Sequence, residues 1–103
     1  MKTFIKEITW LSMFDHGFGN GYVILPVGHK YHGVHYDDID ISVHGGLTLS
    51  EPANECEWPE IAEEDKEGWI IGFDTGHFGD TLQKWTKSRV QEELDNLVKQ
   101  LEL

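Results

Sequence analysis

The chain holds a single cysteine, Cys56, among its 103 residues, so no partner exists for an intramolecular disulfide. Carboxylates flank that cysteine in Asn54-Glu55-Cys56-Glu57-Trp58, and negative neighbours disfavour the thiolate, so a nucleophilic role is not expected. Basic residues are scarce as well: 8 Lys and Arg stand against 19 Asp and Glu, a formal net charge of -11. A field of that sign repels phosphate backbones, and non-specific binding to DNA or RNA is not expected. Long apolar runs are also missing. No segment approaches the roughly 18 to 20 apolar residues of a membrane span, and Met1-Lys2-Thr3-Phe4-Ile5-Lys6-Glu7 lacks the unbroken apolar stretch of a signal peptide. The expectation is a cytoplasmic protein that meets no membrane.

What the chain does have is material for a core: 39% hydrophobic residues, 12% aromatic and four tryptophans. Disulfides or metals become near-obligatory only below roughly 40 residues, so one domain over residues 1–103 is expected, with neither repeat nor linker. The acid surplus has three readings. It can be a solvated surface that keeps the protein soluble, a face that docks on a basic partner, or a carboxylate-rich pocket for a cation.

Residues 4–11 mix β-formers with Lys6, Glu7 and Thr9 and predict a strand with one wetter face. The three glycines and Asn20 of Asp15-His16-Gly17-Phe18-Gly19-Asn20-Gly21 predict a turn, and residues 22–25 a short buried strand stopped by Pro26. Residues 27–38, polar and aromatic, predict a loop or a short helical turn. Ile39, Ile41 and Val43 alternate with Asp40 and Ser42 at the two-residue period of a strand. Gly45-Gly46 follows as a hairpin turn or a bulge, before the same alternation in Leu47-Thr48-Leu49. Residues 51–68, with Pro52, Pro59 and an acidic run, predict an exposed excursion pinned by Trp58. Trp69-Ile70-Ile71-Gly72-Phe73 is the clearest buried strand. At the end, Val90, Leu94, Leu97, Val98 and Leu101 draw one apolar stripe of a helix. Thr86 or Ser88 is its N-cap, and Glu92 and Glu93 fall near the positive end of its dipole. Strands followed by a helix predict an α+β fold: a small, mostly antiparallel sheet with a C-terminal amphipathic helix on one face.

Five of the six histidines and most loop acids fall in residues 29–38, His44-Gly45-Gly46 and residues 74–80, each bordering a predicted strand. Loops held by rigid strands are favoured places for ligands and chemistry. His29, His32 and His35, spaced in threes, together with His44, His77, Asp74 and Asp80, offer donors for zinc or manganese. Their spacing matches no established signature such as His-Glu-x-x-His, and histidines beside tyrosines more often serve as structural hydrogen-bonding groups. Acid–base work would fall to His44 and His77 with Asp37, Asp38 and Asp74; the plainer fate is that Asp37-Asp38 cap a turn and Asp74 binds backbone amides. None of Ser42, Ser50 and Ser88 sits in a nucleophile elbow. For ligand binding, the N–H groups of Gly45, Gly46 and Gly76 can cradle an anion if His29, His44, His77 or Lys30 offsets the global charge. Tyr22, Tyr31, Tyr36 and Trp69 can stack on a flat ring. Turn chemistry for Gly45-Gly46 and a core place for Trp69 are the plainer alternatives.

Read together, Gly21-Tyr22-Val23, Pro26-Val27-Gly28-His29, Tyr36-Asp37-Asp38, Val43-His44-Gly45-Gly46-Leu47-Thr48 and Gly72-Phe73-Asp74-Thr75-Gly76-His77-Phe78-Gly79-Asp80 form a set of blocks. They resemble an uncharacterised family of small phage and bacterial proteins. That family's pattern is a Gly-Tyr-Val strand, a Pro-x-Gly-His turn, a Tyr-Asp-Asp step, a Val-His-Gly-Gly-Leu-Thr block and a Gly-Phe-Asp-x-x-His-x-Gly-Asp block. Lys30 stands where the pattern often has proline after the turn histidine, a departure that bears on the shape of that loop. The resemblance implies a phage or prophage origin and a shared site of His44, Asp74, His77 and Asp80.

The leading expectation is a non-enzymatic, phage-type accessory protein with an anti-defence role in the host cytoplasm. It would hold a small polar ligand such as a signalling nucleotide through His29, Tyr36, Asp37, Asp38, His44, Gly45, Gly46, Asp74, His77 and Asp80. Two alternatives stay open: a small hydrolase dependent on zinc or manganese, and an acidic decoy that binds and blocks a basic host protein. A homo-oligomer is compatible with all three.

Overall fold

Every residue of the strand Gly19–Leu25 is buried, and a strand apolar on both sides needs a layer over each face of its sheet. The computed structural model describes residues 1–9 and 15–102. Strands β1 (Lys2–Glu7), β2 (Gly19–Leu25), β3 (Leu49–Pro52) and β4 (Trp69–Phe73) make one sheet in the order β1-β2-β4-β3. All three pairings are antiparallel. Helix α1 (Lys87–Leu101) packs on the sheet. The protein has a small α+β fold.

The two-residue period of β2 and β4 sorts their side chains onto the two faces. Val23, Leu25, Ile71 and Phe73 meet Val90, Leu94, Leu97 and Leu101 of α1. Tyr22, Ile24 and Ile70 point the other way and meet Ala53, Cys56 and Ile61. The segment 51–68 is therefore a cover for the second face and not only an exposed excursion. Its buried side chains are too few and too irregularly spaced to show a period. Trp58 does pin it, as expected: its ring lies 4.9 Å from Tyr22 and edge-on to Phe4 at 6.1 Å. Burying a side chain such as Ile61 contributes about 1.5–3 kcal/mol, so this layer is a substantial part of the fold.

Cys56 sits in that layer, 4% exposed. Burial, then the neighbouring Glu51 carboxylate, pushes its thiol up to about 11, which agrees with an inert cysteine.

Several boundaries differ from the sequence reading. Gly19, Asn20 and Gly21 are strand, not turn, because all three pair with β1, and Gly21 pairs with β4 as well. Gly21 is needed for closeness: a Cβ there would lie 2.6 Å from the Phe73 ring. The first strand ends at Glu7; the Ile8 N–H still bonds to the Phe18 carbonyl at 2.9 Å, and Trp10 and Leu11 lie outside the described residues. Residues 39–43 are not a strand. Ile39, Ile41 and Val43 pack on the α1 side of the core, while the Ser42 N–H donates to Gln100 Oε1 at 2.9 Å and its carbonyl accepts from Gln100 Nε2 at 2.8 Å. Helix side chains satisfy this backbone, so it needs no neighbouring strand. Of Leu47-Thr48-Leu49 only Leu49 falls within β3, although the Thr48 N–H already bonds to the Gly72 carbonyl of β4 at 2.9 Å.

At α1, Thr86 is the N-cap and its Oγ1 accepts from the Arg89 N–H at 3.2 Å. Glu92 and Glu93 lie beyond the first turn, where the dipole's effect has faded, and Glu93 instead makes contacts across to residue 44. Among the described residues no helix is long and apolar enough to cross a membrane.

Candidate functional site

β4 ends at Phe73, and the chain that leaves it is clamped at once. Thr75 is fully buried; its Oγ1 donates to the Gly19 carbonyl at 2.8 Å, and its N–H donates to Asn20 Oδ1 at 3.3 Å. The Thr75 carbonyl accepts from the Gly17 N–H at 2.7 Å. This anchoring holds the following loop, residues 76–80, against the start of β2.

That loop closes on itself through Asp80. The Asp80 N–H bonds to the His77 carbonyl at 3.0 Å, and Asp80 Oδ2 accepts from the His77 N–H at 2.9 Å. Its other oxygen, Oδ1, lies 2.8 Å from His44 Nε2. Asp80 is 4% exposed, so its carboxylate is buried and each oxygen has a hydrogen-bond partner, as burial of a charge requires.

His44 reaches Asp80 from a tight turn. The Gly46 N–H bonds to the Val43 carbonyl at 2.9 Å, and Gly45 takes the left-handed φ of 68°. A Cβ on Gly45 would fall onto the His77 imidazole, so this glycine both makes the turn and seats the second histidine. The His44 ring stacks on Trp85 at 4.1 Å and stands edge-on to His77 at 5.6 Å. The His44 main-chain N–H donates to Glu93 Oε2 at 3.1 Å. Asp74 completes the group: Oδ1 accepts from the Gly76 N–H at 3.0 Å and lies 3.2 Å from His77 Nε2. The His77–Asp74 contact is an ion pair in distance but lacks hydrogen-bond alignment, which leaves His77 Nε2 buried and without a hydrogen-bond partner.

Beside this cluster lies a groove of about 470 Å³ lined by Asp15, Gly76, His77, Phe78 and Gly79. Phe78 is fully exposed on its rim. A second hollow of about 360 Å³ also borders Asp15.

Of the residues expected at the site, the structure brings together His44, Gly45, Asp74, His77 and Asp80, with Gly46 in the same turn. It does not bring in the 29–38 stretch. His29 Nε2 is 3.1 Å from the Leu101 carbonyl at the far end of α1, and its Nδ1 accepts from the Tyr31 N–H. His32 Nε2 meets the Glu67 carbonyl at 2.8 Å. His35 Nδ1 caps the short turn Tyr36–Asp38, accepting from the Asp37 N–H. Tyr36 packs on the core with its N–H on Ser50 Oγ, and Asp37 and Asp38 are acids of that capped turn.

The three spaced histidines thus serve three separate backbone groups, two carbonyls and one amide. Among the described residues no group of three or more His, Cys, Asp or Glu is arranged to hold a metal ion. The anion cradle is not formed as expected either, since Gly46 and Gly76 spend their N–H groups on Val43 and Asp74. Tyr22 is buried in one core cluster, and Tyr31, Tyr36 and Trp69 are partly buried against the other.

Trp85, Glu93, Phe78 and Asp15 belong to the site region and were not expected there. Trp85 had a readable signal: it precedes the N-cap Thr86 by one residue, with apolar Val90 four positions after the cap. That is the hydrophobic-staple pattern that lays an aromatic against a helix's first turn, and both residues are in the same core cluster. No protein-family model, curated protein or solved structure matches the chain.

Proposed function

We propose that the protein is a non-enzymatic binding protein that holds a small polar ligand in the groove beside the His44–Asp80–His77 cluster. The observation that carries this reading is the buried Asp80 carboxylate, which ties the 44–46 turn and the 76–80 loop together next to an open concavity. Binding is favoured over turnover because the ring nitrogens nearest the carboxylates are turned inward. His44 Nε2 is engaged by Asp80, and His77 Nε2 is buried against Gly45 and Asp74. They brace the loops and leave the open wall to Asp15, Phe78 and the glycine backbone.

A signalling nucleotide is one ligand class for such a groove: its base could lie on the Phe78 ring, as bases do on exposed aromatics. Its phosphates would have to stay clear of Asp15 and of the net charge of -11. The resemblance of the sequence blocks to phage and bacterial proteins supplies a setting, a phage-type accessory protein that withholds a ligand from host defence in the cytoplasm. Calorimetric titration with a panel of small polar compounds, signalling nucleotides among them, followed by mass spectrometry of the recovered ligand, tests the reading. Saturable heat, an unaltered ligand and loss of binding in His77→Ala are expected. A chemically changed ligand, or affinity indifferent to His77→Ala, would reject it.

A further inference from the structure

We infer that the groove at residues 76–79 takes a small organic cation, a guanidinium or ammonium compound; this rests on the binding reading above and narrows its ligand. Among the described residues, four aromatic rings already carry a cation from the chain itself. Lys6 stands over Trp58 at 5.1 Å, Lys30 over Tyr31 at 5.1 Å, Lys87 over Phe18 at 5.9 Å and Arg89 over Trp85 at 4.6 Å. Phe78 is fully exposed on the rim of the groove, and no cation of the described residues stands over it. Its ring face is the unfilled counterpart of an arrangement made four times among the described residues.

The charges around it have the matching sign. Asp15 lines the groove, while Lys and Arg are absent from its described lining. Immediately behind His77 stand the carboxylates of Asp74 and Asp80, 3.2 Å from Nε2 and 2.9 Å from the main-chain nitrogen. The whole molecule adds a net charge of -11, which concentrates cations at its surface and repels anions. A cation over an aromatic face gains roughly two- to thirtyfold in affinity, depending on how far it is desolvated. The volume of about 470 Å³ lies within the range of small-ligand pockets.

Amide NMR titration of the full chain at low salt provides the test, with agmatine, adenosine monophosphate and hexa-arginine as probes. Agmatine is expected to shift the Gly76 and Gly79 amides saturably. Affinity should fall about fivefold in Phe78→Leu, which keeps an apolar side chain and removes the ring, and fall again as salt screens Asp15. Shifts from adenosine monophosphate without agmatine would leave the binding reading standing and overturn the cation. Silence from every probe would overturn both. Shifts from hexa-arginine alone would overturn a small-molecule source, and agmatine shifts unchanged in Phe78→Leu would overturn the ring's part in the site.

Discussion

Gly45→Ala is the perturbation that reports most directly on the site, because two separate costs meet at one atom. The first is conformational. Gly45 has φ 68° and Gly46 has φ 80°, and an L-residue in that region costs roughly 1–2 kcal/mol. The second is spatial and belongs to Gly45 alone: its Cβ would enter the His77 imidazole, whereas a Cβ on Gly46 meets nothing within 4 Å. His77 must then swing away, losing its packing and its pairing with Asp74, for a further cost of about 1 kcal/mol. Gly46→Ala therefore isolates the conformational cost, and Gly45→Ala is expected to destabilise by about 2–3 kcal/mol. At about 4–8 °C per kcal/mol for a domain of this size, that corresponds to a Tm lower by about 10–20 °C. Calorimetric unfolding of both variants, repeated in a His77→Ala background, separates the two costs. In that background the penalty of Gly45→Ala should shrink to that of Gly46→Ala. Equal penalties with and without the imidazole would refute the seating of His77 on Gly45.

Two further perturbations address the buried carboxylate and the buried thiol. Asp80→Ala removes the partner of His44 Nε2 and the acceptor of the His77 N–H, at about 1–3 kcal/mol for the two part-buried groups together; urea titration should show a larger loss than for Asp80→Asn, which retains one acceptor oxygen, and equal losses would contradict the arrangement. For Cys56 the thiol is raised from 9.0 to about 11 in the fold, so the native state binds its proton more tightly than the unfolded chain does. That contribution to stability is complete below about pH 9 and is lost as pH rises through about 11. Iodoacetamide alkylation of the native protein should be slow at pH 8 and accelerate only near pH 11, whereas a rate at pH 8 matching an exposed thiol would contradict it.

The sheet and helix were legible where one local rule acted alone. Trp69–Phe73 reads as a buried strand because both faces of β4 are covered, and the stripe from Val90 to Leu101 has a helical period that few other structures share. The misreadings fall where a residue type had two uses. Glycines at 19 and 21 resemble turn formers, yet they lie in a central strand because two neighbouring strands and the Phe73 ring press close. The alternation of Ile39, Ile41 and Val43 resembles a strand, yet its backbone partners are the amide side chain of Gln100 and the core contacts of α1. No pattern within residues 39–43 could announce a partner 58 residues away.

The same reasoning explains why the site was only half legible. His44, Asp74, His77 and Asp80 share a neighbourhood because two short loops lie side by side in the fold: the 74–80 loop carries both acids and His77 within a few residues, and the 44–46 turn brings His44 to Asp80. The histidines of 29–38 have a tighter local spacing, but each is drawn to the nearest unpaired carbonyl or amide: Leu101 at the end of α1, Glu67 before β4, and the amide of Asp37. A histidine next to a chain terminus or turn satisfies a backbone group that would otherwise be left open, and that demand acts on every such turn. A binding cluster needs the opposite condition, imidazoles freed from capping duty because glycine turns close themselves. Val43 to Gly46 does close itself through one main-chain bond, and that leaves the His44 ring available to reach Asp80.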